Sequence, residues 1–517
     1  MKISILKVSA IITLFTFSID AQNLKVASGG LLYISPSSTV FVGENSSIDS
    51  NGQLIMDSVS NDFSDFYVTG TSSGLAEYRH YTASVATRDL VSPPVSGQLF
   101  SQFVTNNQGK IAEGTMTVSS NMLYGPLNNL SADGYEEYSP TSSETLVAAK
   151  GYRAASLGVG GQTLSYNGIL TTSDTPIALS FGLGRWKRSN LIGNPFSTHL
   201  DTEMILGVMI ANAGVDSKYK AMYFYNGSDT DFPWETVNFT NVTNFDLLTP
   251  GQAFVILGTP QTSSITIPSS ARRVSLLGQD NSIQGRLSNE SSSFLKLKLM
   301  TQSLSYTTSI YFISPNGTRA FDEGYDAGSF GSRLGTHLVE SSEGLNLSIQ
   351  TLPLEDMTSE DYAIPVDVNL AAGEEATLSF SELNIPSGVS FYLDDTELNI
   401  QTLLTSESYT FTATNDLNGI GRFYIRTTAN TFTTESTALN SVEVFSMANS
   451  KNITVKGQLV SDSILKIYDI RGRLLSSHLL ESNQTEHKID VSNVSSGVYV
   501  THLNNQNQTK TTKLVIN

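Results

Sequence analysis

The chain has 517 residues, a formal net charge of −18 and no cysteine. The acidity argues against a nucleic-acid binder, whose affinity rests on neutralising phosphates with Lys and Arg. The missing cysteine excludes thiol catalysis, Cys-ligated zinc, iron–sulfur clusters and disulfides together. The length supplies apolar material for several cores without such staples.

Lys2 and Lys7 open a short basic region, an apolar stretch runs from Val8 to Ile19, and the small residue Ala21 precedes Gln22. This order of charge, apolar core and small residue predicts a secretory signal peptide over 1–21. Its removal takes away Lys2, Lys7 and Asp20 and leaves a mature chain near −19. No segment approaches the roughly 20 apolar residues that a membrane-spanning helix needs, so no transmembrane helix is expected.

The mature chain reads as all-β and multidomain. Val, Ile, Thr, Tyr and Phe come in short runs separated by Gly, Asn, Asp, Ser and Pro. Residues 22–75 hold three such runs, Leu31–Ile34, Thr39–Val42 and Gln53–Met56, with Gly and Asn corners between them. That pattern suits a short β-solenoid or a β-meander. Residues 76–285 form a β-rich module punctuated by Ser92-Pro93-Pro94, Gly193-Asn194-Pro195-Phe196 and Pro250-Gly251-Gln252-Ala253-Phe254-Val255. Pro and Gly there fix turn conformations. One helix is predicted, over Asp201 to Ala213, where Met204, Ile205, Val208 and Met209 recur at helical spacing. Residues 286–432 read as a β-sandwich. In Phe294 to Leu299, Leu295, Leu297 and Leu299 share one face, and Lys296 and Lys298 are expected to face water. A linker is placed at 433–440, and seven short β runs fill 441–517.

The last module resembles the type A C-terminal sorting domain of the Bacteroidetes type IX secretion system. The resemblance rests on Leu465 to Arg473 (with Tyr468, Asp469 and Gly472), on Ile489 to Val500 (with Asp490, Ser496, Gly497 and Tyr499), and on Lys510 to Ile516 (with Lys513). The family's usual Tyr-Pro-Asn-Pro opening is replaced by Phe445-Ser446-Met447-Ala448-Asn449-Ser450, which leaves the domain start and processing point open. The resemblance implies an Ig-like β-sandwich recognised by the type IX secretion machinery and usually cleaved afterwards. It implies a cell-surface or secreted location, with release or attachment to anionic lipopolysaccharide. The Ser-Pro-Pro, Gly-Asn-Pro-Phe and Pro-Gly-Gln-Ala-Phe-Val strings, with Phe321 to Ala327, resemble modules of large Bacteroidetes surface proteins, which implies an adhesin-like setting.

No His-Glu-x-x-His and no phosphate-cradling Gly-x-x-x-x-Gly-Lys occurs. Of the six histidines, His478, His487 and His502 lie in the tail, and His80, His199 and His337 are scattered, as surface or satisfied residues are. Glu136-Glu137 and Asp394-Asp395 are adjacent, so on a strand each pair points to opposite faces and makes no catalytic dyad. Asp322, Glu323 and Asp326 around Gly324 are candidate Ca²⁺ ligands, because calcium takes several oxygens on a turn. Asp229, Asp231 and Asn226 form a second acidic turn. Trp186 reads as core packing, and Trp234, after Asp231-Phe232-Pro233, as the candidate ligand contact. The expectation is a non-enzymatic adhesion protein that binds glycan or a host or matrix protein. The alternatives are an exported polysaccharide-active hydrolase and a structural component of an extracellular matrix.

Overall fold

The computed structural model describes residues 2–8, 11–14, 18–114, 120–131, 134–227, 233–244, 247–261, 263–274, 293–338, 345–359, 363–427, 442–446, 451–456, 459, 462–469, 473–482, 484, 486–504 and 509–516. The chain divides into two compact units, residues 1–427 and 428–517. The linker expected at 433–440 lies outside the described residues, as do Asp229 and Asp231.

The first unit begins with short strands stacked in parallel. Leu31–Ile34, Gln53–Met56 and Ala76–Thr82 form one ladder. Ser18–Val26, Thr39–Val42 and Asp65–Val68 form another. Partners lie 22 residues apart in the first (Leu31 beside Gln53), and 21 and then 26 in the second (Ser18 beside Thr39, Thr39 beside Asp65). A meander pairs neighbours antiparallel, so of the two expected architectures the solenoid is the one present. Lys2–Val8 and Ile11–Leu14, from the expected leader, join the same ladders in parallel.

The rungs are held by stacked apolar side chains. Leu32, Ile34, Val40, Val42, Leu54, Met56, Phe66 and Val68 are all buried in one cluster, each contributing roughly 1.5–3 kcal/mol of burial. Gly74 closes a corner at φ +87°, and a Cβ there would overlap the Ile48 carbonyl oxygen. The ladder runs past the boundary expected at 75, because Glu77 sits beside Ile55 on the next rung. Ala76–Thr82 then pairs antiparallel with Gln162–Leu170. The same core continues into Phe100, Phe103, Tyr124, Tyr152 and Tyr166.

The next part of the unit is a four-stranded sheet in the order Ser189–Gly193, Ala253–Leu257, Met222–Tyr225, Trp234–Val237. The predicted helix is present as Thr202–Ala211. The Asp201 carboxylate caps it by accepting from the Met204 amide, and Ile205 and Met209 are buried while Met204 faces out. This module seals one edge of the solenoid. The Phe66 amide donates to the Ser197 carbonyl at 2.8 Å, and the His199 ring nitrogen Nδ1 lies 2.8 Å from the Asp65 carboxylate. Such cover removes an open strand edge.

The last part is an eleven-stranded sheet running from Ile400–Leu403 at one edge to Tyr409–Thr412 at the other. Leu295, Leu297 and Leu299 are fully buried on one face, as the alternation requires. Lys296, expected in water, is buried instead and sits 3.5 Å from Glu235 and 3.4 Å from Glu382. The physical reason is that this sheet is covered on its second face as well. Phe294, Tyr311, Ala327 and Ile349 pack there with Leu191, Tyr223, Ala253 and Val255 of the four-stranded module. Alternation reports which residues share a face, not whether the opposite face is solvated.

The second unit has two sheets. One is Glu443–Ser446, Asn452–Lys456, Glu486–Asp490, and the other Leu474–Leu480, Ser463–Asp469, Gly497–Asn504, Thr509–Ile516. Val444, Ile453, Val455, Leu465, Ile467, Ile489, Leu503, Leu514 and Ile516 share its core.

Candidate ligand-binding cleft

The covered second face of the large sheet positions a cleft where that sheet meets the four-stranded module. Trp234 opens the strand Trp234–Val237. Alternation along that strand turns Trp234 and Thr236 toward the cleft and Glu235 toward Lys296. Trp186 comes from the loop before Ser189–Gly193, and Phe330 from the loop after Ala327–Gly328. Phe330 lies between the two indoles, 5.8 Å from Trp186 and 5.1 Å from Trp234, and also 5.3 Å from Tyr223. These are edge and tilted contacts at the separations aromatic pairs favour. Tyr225 backs Trp234 at 5.1 Å.

Two adjoining cavities flank Phe330, of about 300 Å³ and 290 Å³. Both are lined by Arg185, Trp234, Ser329, Phe330 and Gly331. The first adds Trp186, Lys187, Arg188 and Tyr219; the second adds Leu304, Ser305, Tyr306, Thr307 and Ser348. Aromatic walls with a few hydroxyls and cations are the kind of lining from which small-ligand pockets are built. The Arg185 guanidinium lies over the Trp186 ring at 5.2 Å, and Arg188 pairs with Asp216 at 3.0 Å.

Trp234, singled out from sequence, is therefore half-buried in the cleft wall rather than held out on a loop. Trp186 is both packed, with Gly134 directly against its ring, and cavity-lining. Phe330, Arg185 and Tyr306 escaped the sequence reading. The run Gly184-Arg185-Trp186-Lys187-Arg188, basic in an acidic chain, was the available signal.

The acidic turn is tied up internally. The Asp322 carboxylate accepts from the Thr318 amide at 2.7 Å and the Thr318 hydroxyl at 2.9 Å. Asp326 is buried and accepts from the Asp322 amide at 2.8 Å and from the Thr351 amide and hydroxyl at 2.6 and 2.8 Å. Burial pushes its carboxyl up to about 7. Glu323 pairs with Lys220 at 2.5 Å. The Thr351 hydroxyl lies within 3.3 Å of Asp322 and 2.8 Å of Asp326, so these two carboxylates share a donor, while Glu323 is engaged by Lys220. Among the described residues no group of three His, Cys, Asp or Glu side chains is arranged to hold a metal ion.

The three scattered histidines are all buried. His199 meets Asp65 and His337 meets Asp367, each at 2.8 Å. His80 packs among Phe63, Tyr166 and Gly251, and burial lowers its pKa to about 4. Asp394 pairs with Arg426, and Asp395 with Arg422 at 2.8 Å, so each acid of that pair has its own cation. Gly70-Thr71-Ser72-Ser73-Gly74 spells the Gly-x-Ser-x-Gly string, which the sequence reading passed over. It lies on a solenoid rung, with Ser72 paired in parallel to Ser46 and no strand-to-helix elbow.

In the tail, the Tyr468 ring meets His502 in a tilted contact at 5.0 Å, and Asp469 accepts from the Arg473 amide at 3.0 Å. Asp490 caps the next turn by accepting from the Ser492 amide at 2.8 Å. The Tyr499 hydroxyl reaches the Ser495 carbonyl at 2.7 Å, beside exposed Ser496 and the strand opening at Gly497. Lys513 is exposed opposite Val500. Gly472 lies outside the described residues.

Residues 2–426 match the family described as "Domain of unknown function (DUF8693)". The chain belongs to that family. Residues 447–517 match the "Secretion system C-terminal sorting domain". The family member is thus a type IX secretion cargo, engages that secretion machinery through its tail, and is exported to the cell surface or extracellular space. No helix among the described residues is long and apolar enough to cross a membrane. No curated protein matches the chain. Among solved structures, "Biofilm associated protein - BSP domain" is 10% identical, covering 86% of this chain and 96% of that one, with a TM-score of 0.14. A score that low carries no inference about fold or function.

Proposed function

We propose that the exported protein is an adhesion module that binds a glycan in the cleft formed by Trp186, Trp234 and Phe330. The observation that carries this reading is Phe330 set between the two indoles, with cavities on both sides. Aromatic faces take the apolar faces of sugar rings, and neighbouring hydroxyls (Ser305, Thr307, Ser329) meet the sugar's own. The described lining holds no carboxylate, which favours binding over a two-carboxylate hydrolysis at this cleft. In the same reading, residues 1–21 serve as the export leader, and the mature chain is released or attached to anionic lipopolysaccharide.

A screen of glycans and matrix proteins against the exported protein, with Phe330→Ala beside the native chain, tests the reading. The native chain is expected to retain at least one glycan, and Phe330→Ala to lose at least tenfold in affinity with its melting transition kept. Retention of matrix proteins alone, or glycan binding untouched by Phe330→Ala, overturns it. Release of reducing ends from a bound glycan would replace binding with hydrolysis.

A further inference from the structure

The cleft is an electrostatic exception in its own chain. The protein carries 48 Asp and Glu against 30 Lys and Arg. The described residues lining the two cavities nevertheless include Arg185, Lys187 and Arg188 and not one Asp or Glu. Arg188 is tied to Asp216 at 3.0 Å. Arg185 and Lys187 are exposed, and among the described residues neither forms an ion pair. Arg185 lines both cavities and lies over the Trp186 ring, so its guanidinium is already placed beside an aromatic platform. Around these two cations the described cavity walls supply aromatic rings and hydroxyls.

We infer that the cleft takes an anionic polysaccharide, its sugar faces on Trp186, Trp234 and Phe330 and its acid groups on Arg185 and Lys187. This rests on the glycan-binding reading above and adds the ligand's charge. The local cations matter because the rest of the chain repels such a polymer. Over the roughly 8–10 Å screening length of physiological salt, only charges at the contact itself can offset that repulsion. Arg offers a planar fork that suits carboxylate and sulfate alike, so the shared chemistry is an anionic group on a sugar ring.

The test is titration of the exported protein with polygalacturonate, dextran sulfate and neutral dextran at low and high salt. The native chain and Arg185→Gln/Lys187→Gln are compared. The native chain should bind at least one acidic polymer at least tenfold more tightly than neutral dextran, with the advantage shrinking at high salt. The two acidic arms separate carboxylate from sulfate as the source of charge. The double variant should lose that advantage while its melting transition holds, since both side chains are exposed. Equal affinity for neutral and acidic polymers, or a double variant that behaves like the native chain, overturns the inference and leaves the glycan reading intact. Retention of no polymer, acidic or neutral, overturns both.

Discussion

Three buried groups give the first unit a defined response to acid. Burial holds the carboxyls of Asp89 and Asp326 at about 7, against an ordinary 3.8, and the ring of His80 at about 4, against 6.5. Between pH 6.5 and 4.5 the folded unit therefore binds two more protons than the unfolded chain at the two carboxyls, and one fewer at the histidine. The sign follows from each shift. The raised carboxyl values add stability as pH falls below about 7, and the lowered histidine value removes it as pH falls below 6.5. The net gain of one proton corresponds to about 1.4 kcal/mol per pH unit, or about 3 kcal/mol across the window. For a unit of 427 residues the unfolding entropy is roughly 0.9 kcal/mol per kelvin, so the midpoint should rise by about 3 °C. Asp89→Asn removes one of the two carboxyl contributions and should leave the midpoint nearly flat over the same range. Scanning calorimetry of both chains at half-unit pH steps reads this out. A native midpoint that falls steadily from pH 6.5 to 4.5, or an Asp89→Asn chain that keeps the full slope, refutes the reasoning.

Other consequences concern packing and delivery. Gly74→Ala forces a Cβ into the Ile48 carbonyl at φ +87° and should cost more than about 2 kcal/mol, measured by denaturant unfolding. Asp395 is buried against Arg422 and accepts from the Tyr409 hydroxyl at 2.7 Å. Asp395→Ala should cost about 1–3 kcal/mol by the same method, because it removes one of the two carboxylates on Arg422, with Glu397 remaining at 2.7 Å, and leaves the Tyr409 hydroxyl without its acceptor. A chain ending at residue 427 lacks the sorting unit and should accumulate inside the cell envelope, while its melting transition stays that of the first unit. Fractionation and calorimetry read the two halves of that expectation.

What the sequence disclosed followed short-range pattern. The Leu295, Leu297 and Leu299 face, the Asp201-capped helix and the strand ladder of the tail each repeat with a period of two or near four residues, and each is present. What it hid was pairing over distance. Trp186, Trp234 and Phe330 meet across separations of 48 and 96 residues, which no local period encodes. Lys296 looked solvent-facing because its strand alternates, yet the second face of its sheet is covered by the four-stranded module, whose Glu235, 61 residues earlier in sequence, meets the lysine. The acidic turn at Asp322 to Asp326 had ligand-like composition. Its oxygens receive donors from Thr318 and Thr351, and Thr351 lies on a strand that the turn itself does not announce.

The chain's only two tryptophans both line the cleft, so their emission reports on it without any label. Titrating the exported protein with acidic oligosaccharide while recording tryptophan fluorescence addresses the central claim. Saturable change in intensity or wavelength, abolished in Phe330→Ala, is the expected result. Emission that stays constant while a ligand binds elsewhere on the chain would contradict the cleft as the binding site.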